Sequence, residues 1–147
     1  MSRSVGDLMT RTCYTATLKD NVYELAVLMK EHGIGFVPIV EGDKLIGVVT
    51  DRDLVLRGYG AKHPGSTAVR EVMTADPITV SPDVDAEEAA ELMASRQIRR
   101  LAVVDGDGKL AGVLSIGDLA VNGRYRQEAG EALGEISESP NGSALYH

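Results

Sequence analysis

Two stretches of the chain carry residue types able to hold a ligand. Gly47-Val48-Val49-Thr50-Asp51-Arg52-Asp53 and Gly112-Val113-Leu114-Ser115-Ile116-Gly117-Asp118 read alike: a glycine, two apolar residues, a hydroxyl, two residues and a carboxylate. In both, an apolar strand pattern gives way to a helical one. Hydroxyl and carboxylate stand three apart and so share one face of the first helical turn. The free backbone N–H groups and the dipole of a helix start favour an anion such as phosphate. A carboxylate beside them can accept two hydrogen bonds from a vicinal diol such as that of ribose, so the set suits a nucleotide. The preceding glycine would let a backbone approach the ligand. The same spacing is also an N-capping arrangement, in which hydroxyl and carboxylate serve only the helix.

Charge near the two stretches is unequal. Ile98-Arg99-Arg100-Leu101 opens the strand that leads to the second stretch, where the first copy has Ile34-Gly35-Phe36-Val37. Guanidinium groups are permanently charged and bidentate, which suits phosphate. Alternatively the two arginines are a surface pair bridging carboxylates. In the first copy Arg52 can supply some positive charge.

The elements that must position these residues come as a repeat. Met9-Thr10 aligns with Met73-Thr74, Glu24 with Glu88, Met29 with Met93, Lys44-Leu45 with Lys109-Leu110 and Asp53-Leu54 with Asp118-Leu119, with Gly108 as the one extra residue. Self-similarity at such a period means two copies of one structural unit. Each copy predicts a strand, a helix, two strands and a helix, an α/β (α+β) fold of tandem β-α-β-β-α repeats. The first repeat spans 1–60, a linker 61–68, the second repeat 69–123 and an acidic tail 124–147.

Within each copy an extended piece comes first, at 14–17 and 78–81. Asn21 with Glu24, and Asp85 with Glu88, have capping-box spacing at the start of the next helix. Met29 and Met93 fall in phase with that helix's apolar stripe and are expected in the core. Glu41-Gly42-Asp43-Lys44 and the stretch 105–109 read as hairpin turns; they lack the spaced ligands of a calcium loop. Pro38 implies an edge or a bulge in its strand. Final helices are expected at 51–57 and 116–122, with Gly58 and Gly123 as their stops. A further helix near 128–136 fits the tail, and the last ten residues read as disordered.

Composition narrows the function classes. Apolar residues make up 44% but aromatics only 4%, so the core must be aliphatic. A net charge of −7 disfavours nucleic acid. The single Cys13 rules out an internal disulfide and, with no signal-peptide or spanning run, points to the cytoplasm. It is expected to be an inert, buried thiol. His32, His63 and His147 are scattered, no base–nucleophile pair stands at recognisable spacing, and metal ligands do not cluster. Catalytic and metal-binding residues are therefore not expected, and the chain reads as a non-enzyme.

The two stretches "IGFVPIVEGDKLIGVVTDRDLV" and "IRRLAVVDGDGKLAGVLSIGDLA" resemble the cystathionine-beta-synthase-type (CBS) pair, or Bateman, family over residues 5–123. The resemblance implies a small stand-alone bacterial module whose repeats pack sheet to sheet about a pseudo-twofold axis. It implies regulatory adenosine ligands in two clefts between the repeats: AMP, ADP, ATP or S-adenosylmethionine, with no required cofactor. One cleft would use Thr50, Asp53, Gly35, Phe36, Arg52, Thr74 and Ile78. The other would use Ser115, Asp118, Arg99, Arg100, Thr10 and Tyr14. The aspartates would hold ribose; Thr50, Ser115 and the arginines would face phosphate. Gly35-Phe36 puts multi-phosphate binding at the first site in question. It further implies a homodimer forming a four-repeat disk and an effector protein as partner, with no nucleic acid and no membrane. The alternative is a structural interaction module with no bound nucleotide.

Overall fold

In the computed structural model, residues 3–121 and 126–137 are described. They form two compact units. Of the described residues, unit 1 contains 3–11, 78–106, 111–121 and 126–137; unit 2 contains 12–77 and 107–110.

Unit 2 begins with α2 (Val22–His32), following the short α1 (Val5–Leu8) of unit 1. Asn21 caps α2 as its spacing predicts: its side chain accepts from the Glu24 N–H at 2.8 Å, and Glu24 accepts from the Asn21 N–H at 3.1 Å. Gly33 closes the helix at φ +62°, a left-handed conformation that glycine adopts without steric cost. The chain then forms β1 (Phe36–Glu41) and β2 (Lys44–Thr50), an antiparallel pair turned by Gly42 at φ +65°. Pro38 sits on the edge strand of the order β1-β2-β3, beside a register shift at Ile39/Val40. Lacking an N–H, it offers only its carbonyl, which accepts from Ala16; the Val40 N–H completes that exchange.

After β2 the chain winds through α3 (Asp51–Asp53), a π-helical stretch Leu54–Gly58 and a 3-10 turn Tyr59–Ala61. Gly58 is therefore not the expected stop. Its φ is −89°, and Lys62 takes the left-handed position at +62°. Gly58 is buried, and a Cβ there would lie 3.8 Å from both Val22 and Val72, so its smallness serves packing. The third strand, β3 (Thr74–Ala75), follows a 3-10 turn at Val69–Glu71 and pairs antiparallel with β2, Val48 opposite Thr74. The core is aliphatic, with Leu25, Val37, Ile39, Val49, Val69 and Val72 almost fully buried and Met29 among them.

Unit 1 holds β4 (Thr79–Val80), α4 (Ala86–Arg96), β5 (Arg100–Val104), β6 (Leu110–Ser115), α5 (Ile116–Val121) and α6 (Arg126–Ser137), with sheet order β4-β5-β6. β4 runs parallel to β5. Met93 is fully buried beside Leu101, Leu114 and Leu119. Both methionines are thus core residues, as their phase predicts. Asp85 departs from expectation. It precedes α4 but makes no side-chain cap; the Ala86 N–H is satisfied by the Arg3 carbonyl at 2.9 Å, and Ser4 bridges to Asp85. Backbone from the N-terminus meets the orphan donor that a cap would have served.

That N-terminus carries a capping box whose spacing went unread. Ser4 Oγ accepts from the Asp7 N–H, and the Asp7 carboxylate accepts from the Ser4 N–H at 3.1 Å. This bond to backbone holds the Asp7 carboxyl below its ordinary value. The helix expected near 128–136 is α6, which packs on α4 and α5 with Ala129, Ala132 and Ile136 buried. Asn122, Gly123 and the last ten residues lie outside the described residues.

Each repeat lends its opening residues to the unit built on the other. Thr74 pairs with Val48, and Thr10 pairs with Val113 through bonds of 2.9 and 3.0 Å. The two glycines ahead of the hydroxyls make this possible. A Cβ on Gly47 would stand 2.9 Å from the Thr74 carbonyl oxygen, and one on Gly112 only 2.6 Å from that of Thr10. The backbone that approaches these glycines is thus the lent Met-Thr segment, where a ligand was expected.

Candidate nucleotide site

Both hydroxyl–carboxylate pairs form complete capping boxes. In unit 2 the Asp53 N–H donates to Thr50 Oγ1 at 3.1 Å and the Thr50 N–H to Asp53 Oδ2 at 2.9 Å. In unit 1 the Asp118 N–H donates to Ser115 Oγ at 3.1 Å and the Ser115 N–H to Asp118 Oδ2 at 2.9 Å. The capping alternative is therefore real in both copies. It consumes only one oxygen of each carboxylate, whereas a carboxylate offers about four lone-pair sites.

The remaining oxygens are loosely held. Asp118 Oδ1 faces Thr10 Oγ1 at 3.4 Å, and Asp53 Oδ1 faces Arg57 Nε at 3.8 Å. Both distances exceed those of strong hydrogen bonds. Arg57 also donates to the carbonyls of Val72 and Met73 and to Thr74 Oγ1. It ties the lent strand to the corner, a role that sequence reasoning missed; the one available signal was its i+4 spacing from Asp53.

The backbone donors differ between corners. In unit 2 all three first-turn N–H groups are spent: Asp51 on the Gly35 carbonyl (2.9 Å), Arg52 on Asp51 Oδ1 (2.8 Å) and Asp53 on Thr50. The expectation of free donors fails there because Asp51 caps its neighbour. In unit 1 Ile116 is spent on the Arg99 carbonyl (3.0 Å) and Asp118 on Ser115. Gly117, which stands in place of Arg52, has no acceptor among the described residues.

The side-chain charges differ likewise. Asp51 lies against Gly35, its Oδ2 only 2.7 Å from where a Cβ would stand. At the matching place in unit 1, Arg99 and Arg100 are exposed, and neither pairs with a carboxylate among the described residues. The surface-pair alternative for these arginines thus has no partner there.

Most of the expected site residues gather by unit. Thr50, Asp53, Gly35, Phe36, Arg52 and Thr74 belong to unit 2, with Phe36 opposite Thr50 in the ladder. Ser115, Asp118, Arg99, Arg100 and Thr10 belong to unit 1. Ile78 packs against the core of unit 1. Tyr14 belongs to unit 2, where its ring stacks on His32 with centroids 3.7 Å apart. Cys13 is half-buried, and burial pushes its thiol pKa up, away from the reactive thiolate. Among the described residues no group of three His, Cys, Asp or Glu could hold a metal, and no helix is long and apolar enough to cross a membrane.

Comparison with known proteins finds relatives that span most of the chain. The chain is 44% identical over 139 residues to the uncharacterized protein YlbB of Bacillus subtilis, covering 93% of each chain. It is 42% identical over 134 residues to the CBS domain-containing protein YhcV of the same organism, covering 91% of this chain and 95% of that one. Among solved structures it matches CBSX2 in complex with AMP at 30% identity and a TM-score of 0.76, over 85% of this chain and 98% of the other. The CBS domain model matches twice, at residues 5–59 and 69–122, and the chain therefore belongs to the CBS domain family as a tandem pair.

Proposed function

We propose that this CBS pair is a regulatory module that binds adenosine-containing ligands at its strand-to-helix corners and passes the signal on as a homodimer to an effector protein. The observation that carries the reading is the Asp118 carboxylate. One oxygen is locked in the cap; the other is weakly held and adjoins a corner where, among the described residues, the Gly117 N–H has no acceptor and Arg99 and Arg100 pair with no carboxylate. That set offers an acceptor for a ribose diol and donors for phosphate. The AMP complex of the similar CBSX2 supports an adenine nucleotide as the ligand.

The two corners would not take the same ligand equally. In unit 1 Asp118 and Thr10 would hold the ribose, and Ser115, Arg99, Arg100 and the Gly117 N–H the phosphate. In unit 2 Asp53, Thr50, Phe36 and Thr74 offer a nucleoside cradle, with Arg52 next to Asp51 in the chain. The spent N–H groups and the Asp51 carboxylate disfavour a polyphosphate there. Uncharged adenosine or cationic S-adenosylmethionine fits that corner better. Tyr14 and Ile78 are assigned to the sites by family resemblance alone.

Thermal unfolding with added AMP, ADP, ATP, adenosine and S-adenosylmethionine tests the reading. At one hundred times its dissociation constant a ligand stabilises the fold by about 2.7 kcal/mol. For a chain of this size that is a rise of roughly 5–11 °C. No rise with any adenosine ligand would favour the structural interaction module instead.

A further inference from the structure

We propose that unit 2 carries a second kind of ligand site, a groove at the outer edge of β1 that takes a free α-amino acid with an aliphatic side chain. The groove lies apart from the strand-to-helix corners in sequence and does not depend on the nucleotide reading. It follows from how the chain leaves the sheet. Ala16 bridges to β1, accepting from the Val40 N–H at 2.9 Å and donating to the Pro38 carbonyl at 3.1 Å. The chain then turns away at once. The Thr17 N–H donates to Asp20 Oδ2 at 2.8 Å, the Lys19 N–H to Thr17 Oγ1 at 3.2 Å and the Asp20 N–H to the Thr17 carbonyl at 3.1 Å. A turn that satisfies its own donors in this way has no need of the strand. Among the described residues no strand covers the edge of β1 beyond Val40. What remains is a cavity of about 380 Å³, lined by Thr17, Leu18, Lys19, Val40, Glu41 and Gly42.

That volume is in the range of small-ligand sites, near its lower end. The lining states the chemistry of the ligand. Val40 is buried and Leu18 packs on the unit 2 core, so both are fixed apolar surface. Lys19 and Glu41 are exposed and make no ion pair, with each other or with any other charge, among the described residues. Thr17 Oγ1 already accepts from the Lys19 N–H, which leaves its O–H to donate. One groove thus offers a cation, a hydroxyl donor, an anion and apolar surface. An aliphatic amino acid uses all four: its carboxylate meets Lys19 and the Thr17 O–H, its ammonium meets Glu41, and its side chain lies against Leu18 and Val40. A simple anion or cation would leave one charge unused, and an apolar molecule would leave both. The shared fold does not demand this set. The repeat register puts Pro82, Asp83 and Asp105 where unit 2 has Leu18, Lys19 and Glu41, so the matching positions of unit 1 hold two carboxylates and no cation.

Titration of the nitrogen-15-labelled full chain with L-leucine, followed by amide chemical shifts, tests this. The expected result is saturable movement of the Thr17, Lys19, Glu41 and Gly42 signals, with a dissociation constant of about 1 mM or tighter, and none at Gly117. Lys19→Gln and Glu41→Gln should each weaken binding by roughly tenfold or more. Leucinamide and N-acetyl-leucine, which each lack one charge, should bind the natural chain more weakly by a similar factor. Both substituted side chains are exposed, so the fold should be kept, and far-ultraviolet circular dichroism checks it. No movement of the groove signals at roughly ten times that concentration would overturn the inference. So would equal binding of leucine, leucinamide and N-acetyl-leucine, or movement confined to the Gly117 corner. AMP added to the same samples reads the nucleotide proposal separately, at Gly117 and Asp118.

Discussion

Replacing Gly112 by alanine separates the two meanings a glycine at this place can have. If it stood open to a ligand, a methyl group would cost affinity and leave the fold alone. In the structure the added Cβ would lie 2.6 Å from the Thr10 carbonyl oxygen, 2.9 Å from the Met9 Sδ and 3.2 Å from the Met9 Cγ. The thioether can swing aside, but the carbonyl belongs to a backbone fixed by two hydrogen bonds to Val113. Overpacking of this kind costs about 1–3 kcal/mol. Loss of one Thr10–Val113 bond would add about 0.5–1.5 kcal/mol. The sum, about 1.5–4.5 kcal/mol, corresponds to a fall in Tm of roughly 3–18 °C for a chain of this length. Gly106→Ala is the control, since nothing lies within 4 Å of its Cβ position and its φ is not positive. Gly130→Ala, equally open and inside α6, should raise stability by about 0.5–1 kcal/mol. Urea and thermal unfolding followed by circular dichroism read all three. A Gly112→Ala Tm within a degree of the Gly106→Ala value would refute the lent-strand explanation.

Other outcomes follow from the same geometry. Arg99→Ala with Arg100→Ala should abolish any preference for AMP over adenosine in thermal shift and leave unfolding without ligand nearly unchanged, because both side chains are exposed and unpaired among the described residues. The Asp7 carboxyl is held below its ordinary value of 3.8 by the Ser4 N–H bond, so its contribution is present above that pH and is lost as pH falls through the lower folded value. Asp7→Asn should therefore flatten the acid end of the stability curve, which titration of Tm between pH 5 and 2 (roughly the carboxylate range) would show.

How much of this the sequence disclosed depended on how local the interaction was. The Asn21–Glu24 box lies within four residues and follows its spacing, as do the Gly42 turn, the helical phase of Met29 and Met93, and the edge position of Pro38. Asp85 has the same local pattern as Asn21 but loses its cap to the Arg3 carbonyl, which lies more than eighty residues away in the chain. The exchange of Met9-Thr10 and Met73-Thr74 came only through the family resemblance, which grouped Thr74 with Thr50 and Thr10 with Ser115; the two segments are identical, so local sequence cannot say which hairpin each will join. Gly58 has the composition of a stop, but the space between Val22 and Val72, formed only on folding, turns it into a packing residue. At the corners, hydroxyl and carboxylate were legible as pairs. Asp51's use of its own carboxylate on the next N–H was not, since nothing but the final backbone angle decides it.

The most direct measurement is isothermal titration of AMP into the natural chain and into Asp118→Asn. Asparagine keeps an oxygen for the Ser115 N–H and so preserves the cap, but it replaces the loosely held second oxygen with a donor. The account predicts saturable binding to the natural chain and at least a tenfold loss in the variant, about 1.4 kcal/mol or more, with little change in Tm when AMP is absent. Equal affinity in the two proteins, or no binding to the natural one, would contradict it.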